Sequence, residues 1–287
     1  SVELPDDLKY MGNSAFSGCA SLQSVDLPDG LQSIGDRTFY GCTSLRSVDL
    51  PDGLKYMGEY AFRGCASLQS VALPNDLKHI EDYAFRECTS LQSVDFPDGL
   101  IYIGKWAFSG CASLRSVELP DDLKYIEDYA FYECTSLQSV NLSTVALIGN
   151  YIFEGCTSIQ NVKFRANSRN SGVNSKKRSL NRIADNMFSG FESIESVEIL
   201  DGILEIGNYA FEGCKQLTEV SFPDGLIAIG LLAFQETKIK RIVFPKSMLY
   251  IGKSSFHNIQ MISYISEVVS LNPEPPYCYG FNYDNNI

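Results

Sequence analysis

The sequence predicts a solenoid of about eleven coils, with a parallel sheet on one face and short strands, turns and short helical coils elsewhere. Three observations carry this. Eight of the nine cysteines stand at 19, 42, 65, 88, 111, 134, 156 and 214, a spacing of 23 residues and once 22 before the last interval. Phenylalanine recurs more strictly still: Phe16, Phe39, Phe62, Phe85, Phe108, Phe131, Phe153, Phe188, Phe211, Phe234 and Phe256. Each unit also ends in a period-2 step such as Val25 to Leu27, the mark of a strand with one buried face. A fixed period of this length is the signature of repeat architectures.

Within one unit the apolar residues run Leu8, Met11, Ala15, Phe16, Cys19, Leu22, Val25 and Leu27. The steps of three and four suit tight turns or a short helical coil, and the last step suits the strand. Proline then ends the strand (Pro28, Pro51, Pro74, Pro97, Pro120), because it cannot donate to a ladder. Asp-Gly or Asp-Asp turns the chain into a return segment that often closes on Ile-Gly or Met-Gly. One coil cannot bury its apolar side alone, whereas stacked coils bury a continuous core. At about 4.8 Å per parallel strand, eleven coils make a rod roughly 50 Å long.

The cysteine position also accepts Phe191, Thr237 and Ile259, so it reads as a packing site. Stacked side chains point the same way rather than at each other, which predicts free, buried thiols. Cys278 lies outside this ladder.

The run L-x-x-V-x-L-P-x-x-L-x-x-I-x-x-x-A-F-x-x-C resembles the leucine-rich repeat of the BspA-like type, first associated with treponemal and oral-bacterial surface proteins. The resemblance covers nearly the whole chain and implies a leucine-rich repeat solenoid. It departs from the general leucine-rich pattern after the strand, where Pro-Asp-Gly replaces the usual Asn or Cys. It further implies display at the cell surface and adhesion to host matrix proteins or other cells.

The solenoid is assigned to residues 1–266, with an insertion at 165–178, and a C-terminal cap or tail to 267–287. The insertion carries five basic residues and no acidic one, including Lys176, Lys177 and Arg178. It is expected to be a loop extruded from the turn after the strand, either simply tolerated there or used for partner contact. Ser1-Val2-Glu3-Leu4 repeats Ser116-Val117-Glu118-Leu119, so the chain opens inside a strand, as an excised or processed piece or part of a longer array would.

Charge marks a second candidate surface. The net charge is −12, and residues 1–141 hold 21 acidic and 10 basic residues. Asp26, Asp49, Asp95 and Glu118 fall between the two inward residues of their strands and so point outward. Asp29, Asp52, Asp98 and Asp121 follow in the proline turns. Stacked carboxylates serve either as a solubilising face or as a field for a basic protein partner. A third candidate is an aromatic flank, Tyr60, Tyr83, Trp106, Tyr129 and Tyr151, two residues before each phenylalanine. It is expected half-exposed, either stacking rung to rung or recognising protein or glycan.

The sequence offers no catalytic, cofactor or metal constellation. The two histidines, His79 and His257, belong to distant coils and cannot share a site. Gly99 to Lys105 imitates a phosphate loop, but Trp106 stands where a magnesium-binding hydroxyl belongs. A pI near 4.7 argues against nucleic acid, and no apolar run reaches spanning length. The expectation is therefore a non-enzymatic, extracellular or cell-surface module that binds a protein partner without inserting into the membrane. The alternatives are a spacer that displays another domain and a glycan-binding module using the Tyr/Trp stripe.

Overall fold

The computed structural model of the chain describes residues 2–143, 147–149, 151–165 and 182–259. The first strands are β1 (Tyr10–Met11), β2 (Ser33–Ile34), β3 (Tyr56–Met57), β4 (Ser70–Ala72), β5 (His79–Ile80), β6 (Ser93–Asp95), β7 (Tyr102–Ile103), β8 (Ser116–Glu118) and β9 (Tyr125–Ile126). They continue with β10 (Ser139–Ser143), β11 (Leu147–Ile148), β12 (Asn161–Arg165), β13 (Arg182–Ile183), β14 (Ser196–Ile199), β15 (Glu205–Ile206), β16 (Glu219–Ser221), β17 (Ala228–Ile229) and β18 (Tyr250–Ile251). All pairings are parallel and join neighbouring coils.

The Ser-Val-x strands form the expected face. Its longest sheet runs β16-β14-β12-β10-β8, with β4-β6 as a separate pair and an isolated bridge between Glu3 and Asp26. Valine sits on valine through this sheet: Val117, Val140, Val162, Val197 and Val220 share one register row. Strands β12 and β14 pair from Asn161↔Ser196 to Phe164↔Ile199, so the ladder passes the insertion in register. Arg165, assigned to the insertion at 165–178, is instead the last residue of β12; residues 166–178 and the tail at 267–287 lie outside the described residues.

A second parallel ladder occupies the return segment, where the sequence suggested only a connection. It consists of the sheets β1-β2-β3, β11-β9-β7-β5 and β13-β15-β17-β18. Each strand is two residues long, with the first outward and the Ile or Met buried in most of them. Two residues are too few for a period to be recognised, so the sequence shows only a Tyr before an Ile.

No helix occurs among the described residues; the segment around each phenylalanine is a run of turns. Backbone conformation explains this. The residue two before each phenylalanine is left-handed, with φ of 58° at Tyr60, 61° at Tyr83, 56° at Trp106 and 59° at Tyr129. The residue two after is left-handed as well: Gly64 at 74°, Gly110 at 73°, and the non-glycines Glu87 at 62° and Glu133 at 55°. A right-handed helix cannot pass two such residues four apart. Instead the turn forms a third ladder. The N–H groups of Tyr60, Phe62 and Gly64 donate to the carbonyls of Asp82, Ala84 and Arg86 in the next coil, at 3.0, 2.8 and 2.8 Å. Left-handed tyrosine costs about 1–2 kcal/mol per residue, which these bonds and the ring stacking offset.

The core is one ladder of rings. All eleven phenylalanines stack in sequence through ten contacts, from Phe16–Phe39 at 5.6 Å to Phe234–Phe256 at 5.4 Å. Phe39 to Phe234 are buried. The cysteines run alongside as free thiols, and seven of the eight described are buried. Each buried thiol reaches the phenylalanine carbonyl of the preceding coil, as Cys65 Sγ does to Phe39 at 3.2 Å and Cys214 Sγ to Phe188 at 3.2 Å. Burial pushes the Cys42 thiol up to about 11 and the Cys88 thiol to about 12, so both stay protonated at neutral pH.

Coil-to-coil register is further set three residues before the phenylalanine. Asn13, Asp36, Asp82, Asp185 and Asn208 each accept, on a side-chain oxygen, the N–H of the matching residue in the next coil, at 2.7–3.1 Å. The residue just before that N–H is then glycine: Gly35, Gly58, Gly104, Gly207 and Gly230. A Cβ on Gly104 would stand 2.6 Å from both Asp82 N and Asp82 Oδ1. Where Glu59 and Lys105 replace the Asn or Asp, the next coil carries Glu81 and Glu127 in place of glycine.

Candidate binding surface

The outward residue of each front strand lies opposite the valine row and inherits its exposure from the pleat. Asp26, Asp49, Asp95 and Glu118 are all exposed, and so are Asp29, Asp52 and Asp98 in the proline turns. The segments that turn Val25, Val48 and Val117 into the core thus turn Asp26, Asp49 and Glu118 out. Two shallow concavities open beside them. One, of about 480 Å³, is lined by Glu3, Asp6, Asp26 and Asp29 with Leu4, Leu27 and Pro28. The other, of about 440 Å³, takes Asp95, Asp98, Glu118 and Asp121 together with serines and apolar residues. Neither has a basic residue in its lining.

Further along the same face the character changes. Lys163 pairs with Glu198 at 2.9 Å across adjacent strands, so one carboxylate there is neutralised within the fold. Beyond them a larger concavity of about 1270 Å³ carries Lys240, Arg241 and Lys246 beside Glu219 and Asp224. Residues 240–246 were not singled out by sequence, because their coil departs from the repeat pattern that made the acidic row visible.

The aromatic flank is half-exposed at Tyr60, Tyr83, Trp106 and Tyr129, and Tyr151 is 60% exposed. It is also stacked rung on rung. Ring centroids are 4.5 Å apart for Tyr60–Tyr83, 6.5 Å for Tyr83–Trp106, 4.2 Å for Trp106–Tyr129 and 5.3 Å for Tyr129–Tyr151, nearly parallel throughout. Arg37 lies over Tyr60 at 4.7 Å and Arg86 over Trp106 at 5.1 Å. Tyr60, Tyr83, Trp106 and Tyr129 thus have neighbours on both faces, whereas Tyr151 stacks on Tyr129 and is the most exposed ring of the flank. The flank and the acidic strand row are set on different parts of the coil and do not form one site. Lys176, Lys177 and Arg178 fall outside the described residues.

Chemistry-bearing groups stay dispersed. His79 in β5 lies 3.8 Å from Glu81, and His257 belongs to the coil of Phe256. Tyr102 is raised to about 12, first by burial and then by the carboxylates of Asp82, Glu127, Glu81 and Glu59 around it. Among the described residues no group of three His, Cys, Asp or Glu side chains is placed to hold a metal ion. No helix among them is long and apolar enough to cross a membrane.

A family model described as the BspA type leucine rich repeat region matches in six copies, over residues 1–93, 78–181 and 181–274. Among curated proteins nothing matches. Among solved structures, a leucine-rich repeat protein from Bacteroides ovatus is similar at 26% identity and a TM-score of 0.60, over 89% of this chain and 75% of that one. A leucine rich cell surface protein from Faecalibacterium prausnitzii is similar at 24% identity and a TM-score of 0.56, over 89% of this chain and 78% of that one.

Proposed function

Because the chain belongs to the family of BspA-type leucine-rich repeat proteins, and because its front face turns Asp26, Asp49, Asp95 and Glu118 outward, we propose that it is a non-enzymatic cell-surface module. It binds a basic protein partner through the first six coils. The observation that carries this reading is the pair of concavities at Asp26/Asp29 and Asp95/Glu118, whose linings hold four carboxylates each and no basic residue. Exposed carboxylates on adjacent strands repel one another, and a cationic partner relieves that repulsion. The similar protein from Faecalibacterium prausnitzii, described as a cell surface protein, supports the location. Adhesion to host matrix follows as the use such a surface would have.

Two other readings differ in what they require. A glycan site on the Tyr/Trp stripe needs open ring faces, and the stacking of Tyr83, Trp106 and Tyr129 uses them. A spacer needs only the stack, and the close similarity of the first six coils favours it. Pull-down of solubilised matrix proteins by the full chain, at about 50 and 500 mM salt, separates the readings. Basic proteins retained at low salt and released at high salt support the acidic face. Retention that ignores salt, or no retention at all, overturns it and leaves the spacer.

A further inference from the structure

Front-face pairing stops at β16. The counterpart in the next coil, Arg241–Val243, forms no strand, and β16 is the edge of its sheet. The chain is one residue short in that coil. Val220 follows Cys214 by six residues, but Ile242 follows Thr237 by only five. The missing residue falls between Thr237 and Ile239; the Lys240 N–H still reaches the Thr218 carbonyl at 3.5 Å, and no strand pairing follows it. The 22-residue interval from Cys134 to Cys156 gives the contrast: its missing residue follows β10 in the sequence, and β10 and β12 still pair over five residues.

The gap changes what is exposed. Val162 and Val197 are 2% and 3% exposed, whereas Val220, next in the same row, is only half-buried. Val220, Phe222 and Phe244 floor the concavity of about 1270 Å³, and Val243 stands at its side, 55% exposed. That is larger than the roughly 300–1,000 Å³ of small-molecule pockets. Lys240, Arg241 and Lys246 line it, all exposed, and none makes an ion pair among the described residues. With Glu198 engaged by Lys163, the cations exceed the free carboxylates of the lining, opposite in sign to the concavities of the first coils.

We propose that this cleft docks an extended, acidic segment of a partner protein, added as a strand to the free edge of β16. The edge supplies unpaired backbone groups along one strand, which is what strand addition uses. An extended peptide turns alternate side chains to opposite sides. Aliphatic residues then meet Val220, Phe222 and Val243, and carboxylates meet Lys240, Arg241 and Lys246. This site is separate from the acidic face and prefers a partner of opposite charge.

The test is titration of a labelled, acetylated peptide of alternating glutamate and valine into the full chain, read by fluorescence anisotropy and by hydrogen exchange. The expected result is saturable binding with slowed exchange at Glu219–Ser221. Arg241→Glu weakens it about tenfold or more, as loss of a close charge pair does, while Asp95→Lys on the distant acidic face leaves it unchanged. Lys246→Glu gives the same loss if Arg241→Glu lowers the melting temperature. Absence of saturable binding at low salt overturns the proposal. So does equal binding of a lysine–valine peptide, or binding that leaves exchange at 219–221 untouched.

Discussion

Between Phe16 and Phe131 the outward strand positions carry Asp26, Asp49, Ala72, Asp95 and Glu118; between Phe188 and Phe256 they carry Glu198, Ser221 and Val243. Beneath both stretches the same phenylalanine ladder runs, with rings 5.1–5.4 Å apart from Phe39 to Phe131 and 5.2–5.8 Å from Phe188 to Phe256. The core position answers to its neighbours above and below, so every coil must present the same ring. The outward position answers only to solvent and to a partner, and it diverges. Two regions of one scaffold therefore present opposite chemistry: an acidic face over an intact repeat, and a cationic, apolar cleft where one coil is a residue short.

The sharpest way to break this comparison is in the core. Phe108→Ala and Phe211→Ala should each destabilise the fold by about 3–5 kcal/mol, measured by urea unfolding. Costs that differ by more than the spread expected for one chemistry would show that the two stretches do not share a core. Alkaline pH comes next. The Cys88 and Cys214 thiols are raised to about 12 in the fold from an ordinary value near 9. Their contribution is complete below pH 9 and lost as pH rises toward 12, because the unfolded chain ionises first. Each thiol should remove about 1.4 kcal/mol per pH unit in that window. Urea midpoints at pH 8, 9 and 10 check this, and Cys88→Ser and Cys214→Ser should each flatten the slope by a similar amount.

Smaller effects probe the register. Gly104→Ala and Gly207→Ala should cost about 1–3 kcal/mol, since the new Cβ would meet backbone in the preceding coil. Glu81→Ala, at the same position of a coil that follows Glu59, should change stability by no more than about 0.5 kcal/mol. The faces themselves should matter least to folding. Asp95→Asn should be neutral or slightly stabilising at low salt, within about 0.5 kcal/mol, because it removes a repelling charge. Lys163→Met should cost less than about 1 kcal/mol through loss of the exposed pair with Glu198.

Part of this was legible in the unfolded sequence, and the division follows a physical line. The period, the phenylalanine row, the outward carboxylates and the free thiols were all readable, because each repeats once per coil with a residue type that matches its burial. The second strand ladder was not, since two residues such as Tyr102–Ile103 carry no period. The left-handed tyrosines run against expectation, because β-region or helical φ is the default for a bulky side chain, and stacking with next-coil hydrogen bonds holds Tyr60 and Tyr83 at positive φ. Short helical coils were the natural reading of steps of three and four until those φ values ruled them out.

The cleft beside β16 shows the same line from the other side. The missing residue between Thr237 and Ile242 is plain in the sequence. What the shortening does to pairing is not, because the short Cys134–Cys156 interval leaves β10 and β12 paired, whereas β16 remains an edge beside the other short coil. Sequence alone determined that these coils stack, what fills their core and which charges face outward, since those are properties of one coil repeated. Only the tertiary structure decided which neighbours pair, which rings lose their faces to stacking and where the sheet opens, since those are relations between coils.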